Sequence, residues 1–297
     1  MIMNLPRLLT RWPTLACIAA ITTLASWIAT AQSQVVYETQ SDYNTIVVTQ
    51  DQDGLRTLLF ERNGARQSVV KLNDPSHIEL PYVRATLVSL ALVPNPQRIL
   101  IIGLGGGSIP TFLHHHYPNA TIDVVDIDPE VVRVAKQFFG FQPDDKLHAH
   151  VADGRKFVEE TTEPYDLIFL DAYGADSIPY HLATIEFLHA VRKALSPQGV
   201  VVGNIWSRTS NRLYEPMVST YQEGFDRLYI LDVRGAGNLI FFALPRPTTL
   251  NLKTVSQTAA DISRSKNLPF NLADELATGF SLPSPASTRA RILHDSE

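Results

Sequence analysis

Cysteine is almost missing from this chain: its single thiol, Cys17, falls within the first 31 residues. The rest can therefore form neither a disulfide framework nor a cysteine nucleophile. A basic excess is missing too. Lys and Arg number 25 against 30 Asp and Glu, a formal net charge of -5, so no positive field is available to hold a phosphate backbone against competing salt, and nucleic-acid binding is not expected. No His-Glu-x-x-His, Gly-x-Ser-x-Gly or Gly-Lys-Ser/Thr occurs, which removes the signatures of zinc hydrolysis, α/β-hydrolase chemistry and the P-loop. No internal repeat is evident. What is present is ordinary in bulk: 297 residues, 45% hydrophobic and 19% charged, enough for one or two domains with a buried core and too polar for a multi-span membrane protein.

The N-terminus has a character of its own. Arg7 and Arg11 precede a mostly apolar stretch from Leu15 to Ile28, and Ala29-Thr30-Ala31 has the small-x-small form of a signal-peptidase site. Residues 1–31 read as an export signal cleaved after Ala31, which places the body in a periplasm or outside the cell. The alternative is a single membrane anchor through residues 12–31, a length that just spans the hydrocarbon core.

Residues 32–95 read as a small antiparallel β domain with a linking helix. Tyr43–Thr49 and Leu55–Phe60 are strand formers flanking Asp53-Gly54, and Asn63-Gly64 is a second hairpin turn before Ala65–Val70. Pro81 to Leu92 reads as one helix, ended by Pro94-Asn95-Pro96. From residue 96 to 250 strands and helices alternate. The apolar run Ile99–Ile102 predicts a strand covered on both faces, followed at once by Gly103-Leu104-Gly105-Gly106-Gly107. Asp128-Pro129 reads as the N-cap and first residue of a helix ending before Gly140. Further strands are expected at 148–152, 167–170, 200–204, 228–233 and 239–244, and helices at 155–160, 184–195 and 213–223. Residues 251–297 read as a helical extension and Ser/Pro-rich tail. The expected fold is α/β, a Rossmann-like, methyltransferase-type doubly wound sheet preceded by the small β domain, with its ligand at the carboxyl ends of the strands.

Gly103-x-Gly105-x-Gly107 allows a backbone to approach a ligand closely, and Asp126, ending the next strand, sits where a ribose-binding carboxylate falls in nucleotide folds. Ser108 stands where the dinucleotide form of the motif has its third glycine, so hydride transfer loses ground. Asp153-Gly154 and Leu170-Asp171-Ala172 put carboxylates at two further strand ends. Any one could simply cap a helix; together with the glycine loop they point to a nucleoside cleft. His114-His115-His116 reads as a solvated helix face and not as a metal site, because consecutive helical residues point about 100° apart, and no metal is expected.

The ordered set Asn63-Gly64-Ala65-Arg66-Gln67-Ser68, Gly103-Leu104-Gly105-Gly106-Gly107-Ser108, Asp126-Ile127-Asp128, Asp153-Gly154-Arg155 and Leu170-Asp171-Ala172 resembles the spermidine synthase (polyamine aminopropyltransferase) family over roughly residues 37–244. Asp74-Pro75, Pro81-Tyr82 and Ile178-Pro179-Tyr180-His181-Leu182 resemble its divergent branch, often fused to transporter segments. The resemblance implies transfer of an aminopropyl group from decarboxylated S-adenosylmethionine to an amine such as putrescine. It assigns the ribose to Asp126, the adenine to Asp153 and Gly154, and the substrate mouth to Gln67. Tyr82 and Asp176 would meet the amine, and Asp171 would orient and deprotonate it. A homodimer is also implied. Ser108 replaces an aspartate that contacts the donor's amine in the family. An S-adenosylmethionine-dependent methyltransferase is the alternative in the same fold, and an exported, non-catalytic protein retaining the fold is the alternative of another class.

Overall fold

The computed structural model describes residues 33–173, 178–277, 279–284 and 290–296. The expected signal or anchor at 1–31 and the candidate Asp176 lie outside the described residues. Among the described residues no helix is long and apolar enough to cross a membrane.

Alternating strand formers and two tight turns build the first sheet. Its strands β1 (Gln34–Gln40), β2 (Thr45–Gln50), β3 (Leu55–Leu59) and β4 (Arg66–Lys71) pair antiparallel in simple chain order. Gly54 takes φ +78° and Asn63 φ +62°, the left-handed backbone that both hairpin turns require. The inward residues Ile46, Val48, Leu58 and Val69 are buried in the same core as the larger sheet. Tyr37 stacks on Phe138 at 4.7 Å, and Arg56 donates to the Phe138 carbonyl, tying the small sheet to the body.

The segment expected as one helix at 81–92 is two, α1 (Pro81–Thr86) and α2 (Ser89–Leu92), broken at Leu87-Val88. Thr86 Oγ1 donates to the Val83 carbonyl at 2.7 Å, and amide donors of this stretch reach back three residues as well as four. The tighter turns of a 3₁₀ type interrupt the α-helical ladder there.

The second sheet contains β5 (Arg98–Ile102), β6 (Thr121–Asp126), β7 (Leu147–Val151), β8 (Tyr165–Leu170), β9 (Leu195–Trp206), β10 (Arg227–Asp232) and β11 (Asn238–Leu244), ordered β10-β11-β9-β8-β5-β6-β7. Strands β5 to β9 run parallel, and β11 is antiparallel to both of its neighbours. Interleaved are α3 (Ser108–His116), α4 (Pro129–Phe138), α5 (Gly154–Glu160), α6 (Ile185–Lys193) and α7 (Tyr214–Gly224), followed by α8 (Leu252–Ser265) and α9 (Leu272–Leu276). The apolar β5 run explains the layering: Ile99 and Ile101 face a core shared with Phe112, Val131 and Ala135, while Leu100 and Ile102 face Phe187, Leu188 and Tyr221 on the other side. The doubly wound fold expected from the sequence is the fold observed, as a mixed seven-stranded sheet.

Local signals hold at several helix starts. Asp128 caps α4, accepting from the Glu130 amide at 2.9 Å, with Pro129 first in the helix. Helix α3, expected over Thr111 to His116 after Pro110, begins earlier, at Ser108, because Pro110 fits within its first turn, where no intrahelical N–H bond is lost. The histidine triplet on α3 is not a uniformly solvated face: His116 is buried against Phe112 with Ser76 Oγ 3.0 Å from its Nε2, His114 pairs with Asp144 at 3.0 Å, and His115 is exposed.

Candidate active site

Chain connections reverse across β5, with β6 on one side and β8 on the other, so a crevice opens at the carboxyl edge of the sheet. A cavity of about 410 Å³ lies there. Sheet order sets the sequence of groups along it: Asp153 after β7, Asp126 at the end of β6, the glycine loop after β5, Asp171 after β8 and Asn204 in β9. Three inter-strand spacings separate the outer carboxylates Asp153 and Asp171, about 14 Å at about 4.8 Å each. Carboxylates thus stand at both ends of an elongated crevice.

Of the residues expected at the site, Gln67, Tyr82, Gly103, Gly105, Asp126, Asp153, Gly154 and Asp171 all line this cavity. Gly107 does not; it takes φ +80° as the residue that turns the loop into α3, packed on Phe141. Gly103 has φ +101°, and a Cβ there would stand 2.3 Å from the Asp171 carbonyl oxygen, so this position brings the glycine loop against the strand end carrying Asp171.

Asp126 is held by the loop it faces. Its Oδ2 accepts from the Leu104 amide at 2.9 Å and its Oδ1 from the Asp128 amide at 3.0 Å. Burial pushes its carboxyl up to about 6, with those amide donors opposing the rise. Each oxygen retains acceptor capacity toward the cleft. Asp153 is an N-cap, its Oδ1 accepting from the amides of Arg155 at 2.8 Å and Lys156 at 3.1 Å, while Oδ2 lies 3.3 Å from His181 Nε2. Capping and lining are thus both functions of this carboxylate.

Asp171 has a different setting. Asn204 Nδ2 donates to its Oδ1 at 2.8 Å, and the Tyr82 hydroxyl approaches Oδ2 at 3.4 Å. Desolvation raises its carboxyl to about 7, although both hydrogen bonds favour the ionised form. Burial, then the neighbouring Asp171 charge, raise Tyr82 well above 10, so it stays a phenol; its hydroxyl also reaches the Gln67 carbonyl at 3.2 Å. Asn204 is itself oriented by Asn238, whose Nδ2 donates to Asn204 Oδ1 at 2.9 Å. Tyr173 and Trp206 stack at 5.1 Å beside it, the Tyr173 hydroxyl donating to the Asn204 carbonyl at 2.5 Å. Ser108 lines the cleft with its Oγ 3.3 Å from Ser68 Oγ.

The Asn204, Asn238 and Tyr173 set was missed in the sequence. A polar residue closing the apolar run Val200–Gly203 was the available signal for Asn204, the same signal that marked Asp126 and Asp171. In charge the cleft is acidic: Asp126, Asp128, Asp153 and Asp171 line it against Arg66 and His181.

Residues 84–215 match the spermine/spermidine synthase domain. A polyamine aminopropyltransferase of Vibrio vulnificus is 35% identical over 291 residues, covering 95% of this chain and 96% of that protein. The chain belongs to the polyamine aminopropyltransferase family. Among solved structures, a spermidine synthase in complex with the transition-state analogue AdoDATO aligns with TM-score 0.66 at 22% identity, covering 85% of this chain and 87% of that one, a likeness of fold. Human methyltransferase-like protein 13 in complex with SAH aligns with TM-score 0.59 at 30% identity, covering 65% of this chain and 95% of that one. Both neighbours hold adenosyl-type ligands. An aminopropyltransferase of this family is a transferase on the methyltransferase-type Rossmann fold, and the crevice described above is where that fold places its ligand.

Proposed function

We propose that this enzyme transfers an aminopropyl group from decarboxylated S-adenosylmethionine to a polyamine such as putrescine. The observation that carries the reading is Asp171: a half-buried carboxylate raised to about 7, held by Asn204 and Tyr82 in an acidic cleft beside the glycine loop and Asp126. A cleft lined by carboxylates favours a cationic sulfonium donor and a cationic amine over anionic ligands.

Asp126 accepts from the ribose hydroxyls and Asp153 Oδ2 from the adenine amino group, placing the sulfonium toward Asp171. The amine enters as an ammonium and is no nucleophile until it loses a proton. Asp171 accepts that proton, directly or through one water; a base near pH 7 is matched to the task. The freed amine then attacks the methylene bonded to sulfur: a C–N bond forms, the C–S bond breaks with its electron pair on sulfur, and methylthioadenosine leaves as a neutral thioether. The polyamine product is released as a cation after proton exchange with solvent.

Methyl transfer from S-adenosylmethionine is the second reading, favoured by Ser108, which offers no carboxylate to a donor ammonium, and by the 30% identity to the SAH-bound human structure. Calorimetric titration with S-adenosylmethionine, its decarboxylated form and methylthioadenosine separates them, coupled to detection of methylthioadenosine release with putrescine. Preference for the decarboxylated donor and putrescine-dependent release are expected. Preference for S-adenosylmethionine moves the assignment to methyl transfer, and silence toward all three favours a non-catalytic protein. The N-terminal 31 residues carry the added proposal of export or membrane anchoring, tested by fractionation and N-terminal sequencing of the chain from cells. A homodimer belongs to the same set of proposals and is tested by sedimentation.

A further inference from the structure

Away from the cleft, parallel pairing of β6 with the edge strand β7 sets Asp123 directly across from His148. His-x-His spacing on a strand brings His148 and His150 to one face, the face Asp123 shares. Their ligand atoms, one from each residue, all lie within 4.8 Å of one another. Asp123 Oδ1 is 3.1 Å from His148 Nδ1 and 2.9 Å from His150 Nε2. These separations are close to the about 3.3 Å edge of a tetrahedral site with bonds of about 2.0–2.1 Å. The two ring nitrogens lie within 4.8 Å of each other.

The surroundings are those of a metal site's outer shell. Tyr165 donates its hydroxyl to Asp123 Oδ2 at 2.9 Å, leaving Oδ1 toward the two rings. His148 Nε2 lies 3.2 Å from the Asp145 carbonyl oxygen, the kind of acceptor that orients a metal-binding imidazole through its second nitrogen. His150 is seated by Phe157, ring centroids 4.8 Å apart.

We propose that Asp123, His148 and His150 form a binding site for a divalent transition metal of the zinc class. Two imidazoles and one carboxylate supply three ligands suited to such an ion, and solvent supplies the fourth at an edge where both rings are about a third exposed. The site ties the edge strand β7 to β6. Asp126 follows Asp123 by three residues, about 10 Å along the strand at about 3.3 Å per residue, with its side chain on the opposite face. The cleft lining among the described residues includes none of the three ligands, so metal at this site stabilises the sheet without entering the transfer reaction.

The test uses the full, untagged chain stripped with chelator and titrated with Zn²⁺ calorimetrically and with Co²⁺ by its visible ligand-field absorption. One equivalent per chain is expected, with a rise in melting temperature on adding Zn²⁺. Removing an outer-shell partner commonly weakens a metal about 10–100-fold, so His148→Gln and His150→Gln, which remove ligands, should each weaken binding by about 100-fold or more. Both variants sit at part-exposed positions and should keep wild-type turnover and circular dichroism. His114→Gln/His115→Gln, changing the other histidine cluster, should bind as wild type does. The proposal is overturned by absence of stoichiometric binding to the wild type, which would leave an imidazolium–carboxylate pair as the account of the cluster. Unchanged affinity in His150→Gln, or binding lost with His114 and His115, would overturn it equally.

Discussion

Replacing Asp171 with Asn should make the ligand-free protein more stable while destroying its activity. Folding lifts this carboxyl from its ordinary 3.8 to about 7 because desolvation outweighs the donors Asn204 and Tyr82. Above pH 7 the native state must ionise a group that the unfolded chain ionises far more easily. At about 1.4 kcal/mol per pKa unit, that rise costs the native state about 4 kcal/mol at pH 8. The sign follows from proton binding: between 3.8 and about 7 the native state holds the proton and the unfolded state does not, so stability falls as pH rises through this window. Asn carries no such cost and still offers an oxygen to Asn204 and an amide to Tyr82. Urea denaturation of wild type and Asp171→Asn across pH 4 to 9 is the assay. The variant should gain little at pH 4, increasingly more up to about pH 7, and a plateau of about 2–4 kcal/mol above it. Putrescine-dependent methylthioadenosine release should fall by about 10²–10⁴-fold, the usual worth of a positioned base. A stability difference that does not change with pH would refute the assigned desolvation, and retained turnover would refute the role as base.

Three other perturbations probe the same cleft. Gly103→Ala forces a Cβ into φ +101° and against the Asp171 carbonyl, and should cost about 1–3 kcal/mol by thermal denaturation while displacing Asp171 and lowering kcat; a neutral effect would contradict the close approach. Asp126→Ala removes the acceptor for the Leu104 amide and the proposed acceptor for the ribose, and should weaken methylthioadenosine by about 10-fold or more in calorimetry, consistent with loss of a hydrogen bond to a charged group; unaltered affinity would remove Asp126 from the ligand. Asn204→Leu takes the stronger donor from Asp171, so the acid limb of kcat/KM against pH should move upward by about one unit with donor binding retained; an unmoved limb would make Asn204 merely structural.

The sequence by itself determined most of the elements and the carboxyl ends of the strands that lead into Asp126, Asp153 and Asp171. Unbroken apolar runs such as Ile99–Ile102 can be satisfied only between two layers, glycines at 103 to 107 only by a turn, and Asp128-Pro129 only by a helix start, because each is a local preference written within a few residues. Carboxylates placed where such runs stop were legible for the same reason, and Asp126, Asp153 and Asp171 do converge on one cavity. The break at Leu87-Val88 was not legible, since an apolar run of helix formers does not show where its hydrogen bonding tightens. Partners distant in sequence were decided by tertiary structure alone. Asn204 meets Asp171 through the register of β8 with β9, and Asp123 meets His148 and His150 through that of β6 with β7. Register is fixed by how whole faces bury against the layers above and below, a collective property of the packed sheet that no single segment carries.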